Sequence, residues 1–175
     1  MKGGKGIHGD SFSVRVASPN DAPAIAVIHV VTWQRVYRGI MSDAFLDSLQ
    51  PWQRESMWQR VLSEGSEQVH VCSGPAGIVG FSSAGPCRDS TTVAEIYAIY
   101  VHPYQWGQGY GWVLFSESCA AMLRRGFEHL VLWVATENDQ ARAFYERAGM
   151  VADGATKTAS FGDTQVEEIR YRLEL

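Results

Sequence analysis

Cysteine is scarce in this chain of 175 residues: Cys72, Cys87 and Cys119 are odd in number, widely spaced and form no C-x-x-C pair. No disulfide framework is therefore expected, and reduced thiols in a cytoplasmic setting are. A basic excess is also missing. The formal net charge is −4, which leaves no positive field for nucleic acid. No apolar run is long enough to cross a bilayer, so no membrane partner is expected. No histidine pair has H-E-x-x-H spacing, and no metal is expected. The opening MKGGKGIHGDS has lysines but no apolar stretch, so it does not read as a signal peptide. Residues 1–11 read as a flexible tail and 12–175 as a single domain.

What is present is an ordinary globular pattern, 46% apolar and 19% charged. Phe12 to Ala17 alternates as a short strand. Ser18, Asn20 and Asp21 offer caps for a helix over 22–37 that is apolar around much of its girth. Ser42 caps a short helical piece and Pro51 starts another. Strand signals follow at 68–73, 78–84 and 92–101. A helical spacing through Leu114, Phe115, Ser118, Cys119, Met122 and Leu123 is stopped by Gly126. The run HLVLWVAT reads as a buried strand, 138–147 as a helix, and two final strands flank Gly162-Asp163. The strand-helix-strand unit 92–136 requires a parallel pair by crossover; the remainder is antiparallel. The fold class is α/β (α+β), a mixed sheet of about seven strands with helices on both faces.

Between the third strand signal and the long helix stands PYQWGQGYG, residues 103–111. Glycines at the start of a helix suit an anion, because free N–H groups and the positive helix end converge there. A Walker A loop requires G-x-x-x-x-G-K-[ST], which is absent, and the third glycine of a dinucleotide fingerprint falls on Trp112. A plain strand-to-helix turn is the competing reading.

The segments AEIYAIYVHPYQWGQGYGWVLF and LWVATENDQARAFYERAGM resemble the GNAT superfamily of acyl-CoA N-acyltransferases. That family's phosphate loop reads Q/R-x-x-G-x-G/A after its fourth strand. Here the frame is Trp106-Gly107-Gln108-Gly109-Tyr110-Gly111; both small positions match, and Trp106 stands where Gln or Arg is usual. The resemblance is dense over 92–153 and extends in element order over 12–175. It implies a splayed pair of parallel strands, acetyl-CoA as acyl donor, and a pyrophosphate held by 106–111. It also implies backbone contacts to pantetheine from Ile99 and Val101, with the Ile99 N–H on the thioester carbonyl. The resemblance further implies that Asn138 and Tyr145, two helical turns apart, face the cofactor. Members of the family often form dimers, so a homodimer is an expectation too.

Acetyl transfer to an amine needs a neutral nucleophile, a donor for the oxyanion and a proton for the thiolate. Tyr145 is the candidate acid; its plain alternative is a core aromatic beside Phe144. Glu95 is the candidate base, acting directly or through water, or else an exposed or ion-paired strand residue. Strict alternation would set Glu95, Tyr97 and Ile99 on one face, with Ile96, Ala98 and Tyr100 on the other. Trp33 and Tyr37 on the first helix read as core, or as the wall of a substrate pocket able to cap a cation. Cys119 lies on the apolar helix face, so direct transfer in a ternary complex is expected. The expected acceptor is a primary amine of a small molecule. A protein N-terminus or lysine is the alternative, and a non-catalytic acyl-CoA-binding module is the reading from another class.

Overall fold

The computed structural model describes residues 13–75, 77–88 and 90–175, with Thr91 described by its backbone alone. The tail at 1–11 and Phe12 lie outside the described residues.

The chain enters through β1 (Ser13–Val16) and a 3-10 turn at Pro19–Asp21. Asp21 is buried there. It accepts from the Ser18 backbone N–H at 2.7 Å and takes both guanidinium nitrogens of Arg15 at 2.7 Å. That bidentate pairing, ahead of burial acting the other way, holds its carboxyl down at about 2. The helix α1 (Ala22–Val36) follows, then α2 (Asp43–Ser48), capped by the Ser42 hydroxyl accepting from Phe45 N–H at 3.3 Å. Pro51 occupies the first position of α3 (Pro51–Glu64), and left-handed Gly65 ends it.

Among the described residues seven strands form one sheet: β1, β2 (Gln68–Gly74), β3 (Gly77–Cys87), β4 (Ser90–Val101), β5 (His129–Ala135), β6 (Val151–Phe161) and β7 (Thr164–Glu174). Their order is β1-β2-β3-β4-β5-β7-β6. Every neighbour pair is antiparallel except β4–β5, which the crossover helix α4 (Tyr110–Arg124) makes parallel. The last helix, α5 (Asp139–Arg147), follows β5. The mixed sheet and its parallel pair agree with the expectation from sequence.

Apolar side chains close both faces. On one face Ala94, Ile96, Leu130 and Leu132 pack under Phe115 and Met122 of α4 and Tyr145 of α5. On the other, Val69, Val71 and Phe81 pack under Ile25, Ala26 and Trp58 of α1 and α3. A third cluster joins Val30 and Trp33 of α1 to Ala135 of β5 and Val166 of β7.

One sequence reading needs correction. Strict alternation along β4 fails, because β3 pairs Ser83 with Ala98 but Ala84 with Ile96. Tyr97 is the extra residue of a bulge, which turns the strand by one position. Ile99 therefore packs with Ile96 toward α4, while Ala98 and Tyr100 pack toward α1.

Candidate active site

The bulge falls where β4 parts from β5. Among the described residues the two strands pair only over Ala94–Ile96, yet β4 continues to Val101. Beyond Ile96 its β5-facing backbone groups have no ladder partner. The edge can be assigned. His102 N–H bonds to the Val79 carbonyl of β3 at 2.8 Å, so alternation turns the groups of Val101 and Ile99 the other way, into the gap. The Val101 carbonyl agrees: it accepts from Trp106 Nε1 at 2.7 Å and Thr32 Oγ1 at 3.3 Å.

The gap is the floor of a cleft of about 370 Å³. Residues 96–101 of β4, 132–134 of β5, the turn at 105–107 and the first residues of α4 line it, with Asn138, Phe144, Tyr145 and Tyr37. This scale suits a small-molecule or cofactor site.

The turn's glycines have different reasons. Gly107 and Gly109 hold φ of +76° and +89°, which a side chain would strain, so the chain reversal explains them. Gly109 is the N-cap of α4 and lines the cleft together with Tyr110 and Gly111, the first residues of that helix. Gly111 is not among the positive-φ residues. A Cβ there would stand 3.7 Å from Phe144, an ordinary contact. Neither backbone nor packing requires glycine at 111.

Trp106 departs from the resembled motif and acts on the protein itself. Its indole clamps the turn to the end of β4 through Val101. Gln108 is exposed and lies outside the cleft lining. Tyr110 points under the turn; a Cβ on Gly74 of β2 would meet its hydroxyl at 2.5 Å. Asn138 is the N-cap of α5 and accepts from Ala141 N–H at 3.1 Å. Its position at the cleft is thus fixed by helix capping.

Tyr145 is buried in the cleft wall among Phe115, Phe144 and Tyr171. Burial, with Tyr100 adding to it, pushes the phenol well above its ordinary range, so it keeps its proton. Tyr37 lines the same cleft and lies beside Tyr100.

Glu95 sits before the bulge, where β4 is still paired to Val131 of β5, and is not among the lining residues. It is buried, accepts from Arg88 N–H at 3.2 Å and lies 3.4 Å from the Arg88 guanidinium. That guanidinium also covers the Tyr97 ring at 4.6 Å, and Tyr97 does line the cleft. Trp33 is likewise buried, packed on His29, Tyr37 and Phe161 with Arg54 over its ring at 5.3 Å. The structure brings Tyr37 to the cleft and leaves Trp33 behind it.

The remaining candidates have structural accounts. Burial pushes the Cys119 thiol up to about 11, which suppresses the thiolate. His29 accepts from Trp58 Nε1 at 3.1 Å, and burial ahead of nearby Arg54 lowers it to about 3, so it stays neutral. His102 caps the short turn before Trp106, accepting from Tyr104 N–H at 3.4 Å. Sequence reasoning missed Thr32, Tyr100 and Trp133. A threonine on a buried helix face was a signal for the first; the bulge hid the second.

A parallel strand pair that parts beside a glycine turn, with a buried phenol on the facing helix, defines an α/β protein with a cleft along an open strand edge. The chain belongs to the acetyltransferase (GNAT) family, whose profile matches residues 33–150. With the family comes the enzyme class, an acetyl-CoA-dependent N-acyltransferase. A probable N-acetyltransferase of Mycobacterium tuberculosis is 27% identical over 167 residues, covering 93% of this chain and 94% of its own. An uncharacterized N-acetyltransferase of Bacillus subtilis, YuaI, is 33% identical over 129 residues, covering 72% and 73%. The fold matches that of the PaiA N-acetyltransferase from Thermoplasma acidophilum, solved in complex with coenzyme A. That match has a TM-score of 0.74 at 18% identity over 94% of this chain and 99% of that one. Among the described residues no helix is long and apolar enough to cross a membrane.

Proposed function

We propose that the protein transfers the acetyl group of acetyl-CoA to a primary amine of a small molecule, with both substrates bound together. Pantetheine lies along the open edge of β4 and bonds to the backbone of Ile99 and Val101. The pyrophosphate rests on the amides of 107–111. The Ile99 N–H polarises the thioester carbonyl and holds the oxyanion that forms when the amine adds. Collapse of that adduct expels the CoA thiolate, and Tyr145, still protonated, gives it a proton or a strong hydrogen bond. Asn138 fixes the start of the helix that carries Tyr145. Glu95 is at one remove, tied to Arg88 behind Tyr97, so it takes the amine proton only through intervening water. Three free thiols fit a cytoplasmic setting.

The observation that carries this reading is the parted β4–β5 edge opening directly onto the glycine turn. A small acceptor is favoured over a protein one by the β6–β7 hairpin. Its tip is tied across to the α1–α2 junction, Ser42 Oγ to Asp163 at 2.9 Å and Ser42 N–H to Thr164 Oγ1 at 3.1 Å. That bridge narrows the side on which a peptide would have to lie.

The test is thiol release from acetyl-CoA with a panel of polyamines, aminoglycosides, amino acids and peptides. Release with small amines and not peptides supports the reading. Release with peptides alone transfers it to the protein-acetylating alternative. Acetyl-CoA binding without release for any amine makes the protein a binding module.

A further inference from the structure

On the α1 side of the sheet the chain holds one of its own ammonium groups in a cage. Lys157 of β6 lies opposite Glu168 of β7, and its Nζ is 3.5 Å from Glu168 Oε2. The same Nζ lies 4.2 Å from the centroid of the Trp133 ring. An aromatic face beside a carboxylate is the chemistry that recognises an alkylammonium. The two partners differ in exposure: the Glu168 side chain is 16% exposed and that of Lys157 40%. The carboxylate is the more buried partner, and the lysine reaches it from the exposed side. Arg170 also approaches Trp133, at 5.6 Å, but is held by Asp153 at 2.7 Å. Lys157, on a flexible stem with the longer contact, is the displaceable cation.

The corner adjoins the cleft. Trp133 lines it. Glu168 shares its strand face with Val166, which packs with Tyr37 and Tyr100, and its partner across β5, Ala135, belongs to the same cluster. Burial raises the Tyr37 and Tyr100 phenols, and the nearby Glu168 charge adds to it.

An ammonium in this corner cannot be the nucleophile. A neighbouring carboxylate stabilises the charged form, and transfer needs the neutral amine. We infer that the Trp133–Glu168 corner is a subsite for a second, non-reacting ammonium of the acceptor, occupied by Lys157 until the acceptor displaces it. The inference rests on the transfer reading above and narrows the acceptor to molecules with two amino groups, of the α,ω-diamine class.

Calorimetric titration with 1,4-diaminobutane and butylamine tests it, beside thiol release from acetyl-CoA with the same two amines. The wild type should bind the diamine about tenfold more tightly than the monoamine, the scale of a partly desolvated cation–aromatic and ion-pair contact. Glu168→Gln keeps the shape and should bring the two amines to near equality. Lys157→Met removes the competitor and should tighten the diamine several-fold. Equal binding of both amines by the wild type, or no binding of either, overturns the inference. So does Lys157→Met weakening the diamine in step with Glu168→Gln, which would mark the pair as structural. Glu168-dependent diamine binding without thiol release removes the transfer reading alone. Thiol release with equal KM for both amines in wild type and Glu168→Gln removes this inference alone.

Discussion

The two sides of the parted strands are built on different terms. The side proposed for the donor is made of backbone groups: the edge of β4, the turn at 106–111 and the start of α4. The side proposed for the acceptor is made of side chains from distant elements: Tyr37 just past α1, Tyr97 and Tyr100 of β4 and Trp133 of β5 line the cleft, and Glu168 of β7 adjoins Trp133 through Lys157. A backbone site constrains one contiguous stretch, because only particular residues permit its conformation. A side-chain site constrains no stretch at all, and its members look like core until the sheet assembles them. One scaffold can therefore keep its donor fixed while the acceptor varies by substitution.

Gly111→Glu should separate the two sides most sharply. Acidic residues are favourable in the first turn of a helix, and the position has room, so the variant should stay folded with an unchanged or raised Tm. Acetyl-CoA affinity should fall by at least about 10²-fold, since a carboxylate would stand where phosphates approach. Calorimetry with acetyl-CoA reads the loss; diamine binding should survive it.

Tyr145→Phe comes next. It keeps the ring contacts and removes the hydroxyl, so kcat should drop by roughly 10²-fold with KM for acetyl-CoA little changed. A coenzyme thiol resembles cysteine, with a pKa near about 8.5, so partial loss is the expectation. Stopped-flow thiol release distinguishes this from a binding defect.

Asp21→Asn addresses the frame of the acceptor side, where α1 begins. The folded carboxyl is held at about 2 against an ordinary 3.8. Its contribution is complete above the unfolded value and lost as pH falls from about 4 toward 2. The variant should lose about 2 kcal/mol of unfolding free energy at pH 7 and less at pH 3. Urea melts at both pH values measure it.

Trp106→Phe should have the smallest effect. It deletes one hydrogen bond to the Val101 carbonyl, worth about 1 kcal/mol. KM for acetyl-CoA should rise roughly fivefold with kcat unchanged. A larger loss would give the indole a direct role at the ligand.

What the sequence disclosed follows the same division. The glycine turn and the helix bearing Tyr145 were legible because each is a local requirement of backbone or helix, whereas the N-cap role of Asn138 came only from the structure. The parallel pair was legible because a crossover permits nothing else. Glu95 read either as a candidate base or as an ion-paired strand residue, and the sequence could not choose, because the partner that holds it, Arg88, comes from the turn between β3 and β4. The bulge at Tyr97 turns the strand only after Glu95 and was not legible in the alternation. Trp33 and Tyr37 sit one helical turn apart on one face, and spacing cannot say which of them reaches the cavity. Lys157 and Glu168 pair in continuous register from the turn at Gly162-Asp163, but that both meet Trp133 of β5 depends on the sheet order, which the hairpin alone does not disclose.

Backbone amide chemical shifts, followed by NMR as acetyl-CoA is added, test the central claim most directly. The largest changes should fall on the amides of Ile99, Val101 and residues 107–112, with those of Lys157 and Glu168 nearly still. Changes centred on the β6–β7 hairpin, or spread evenly over both sides of the sheet, would contradict a donor site made of the β4 edge and the glycine turn.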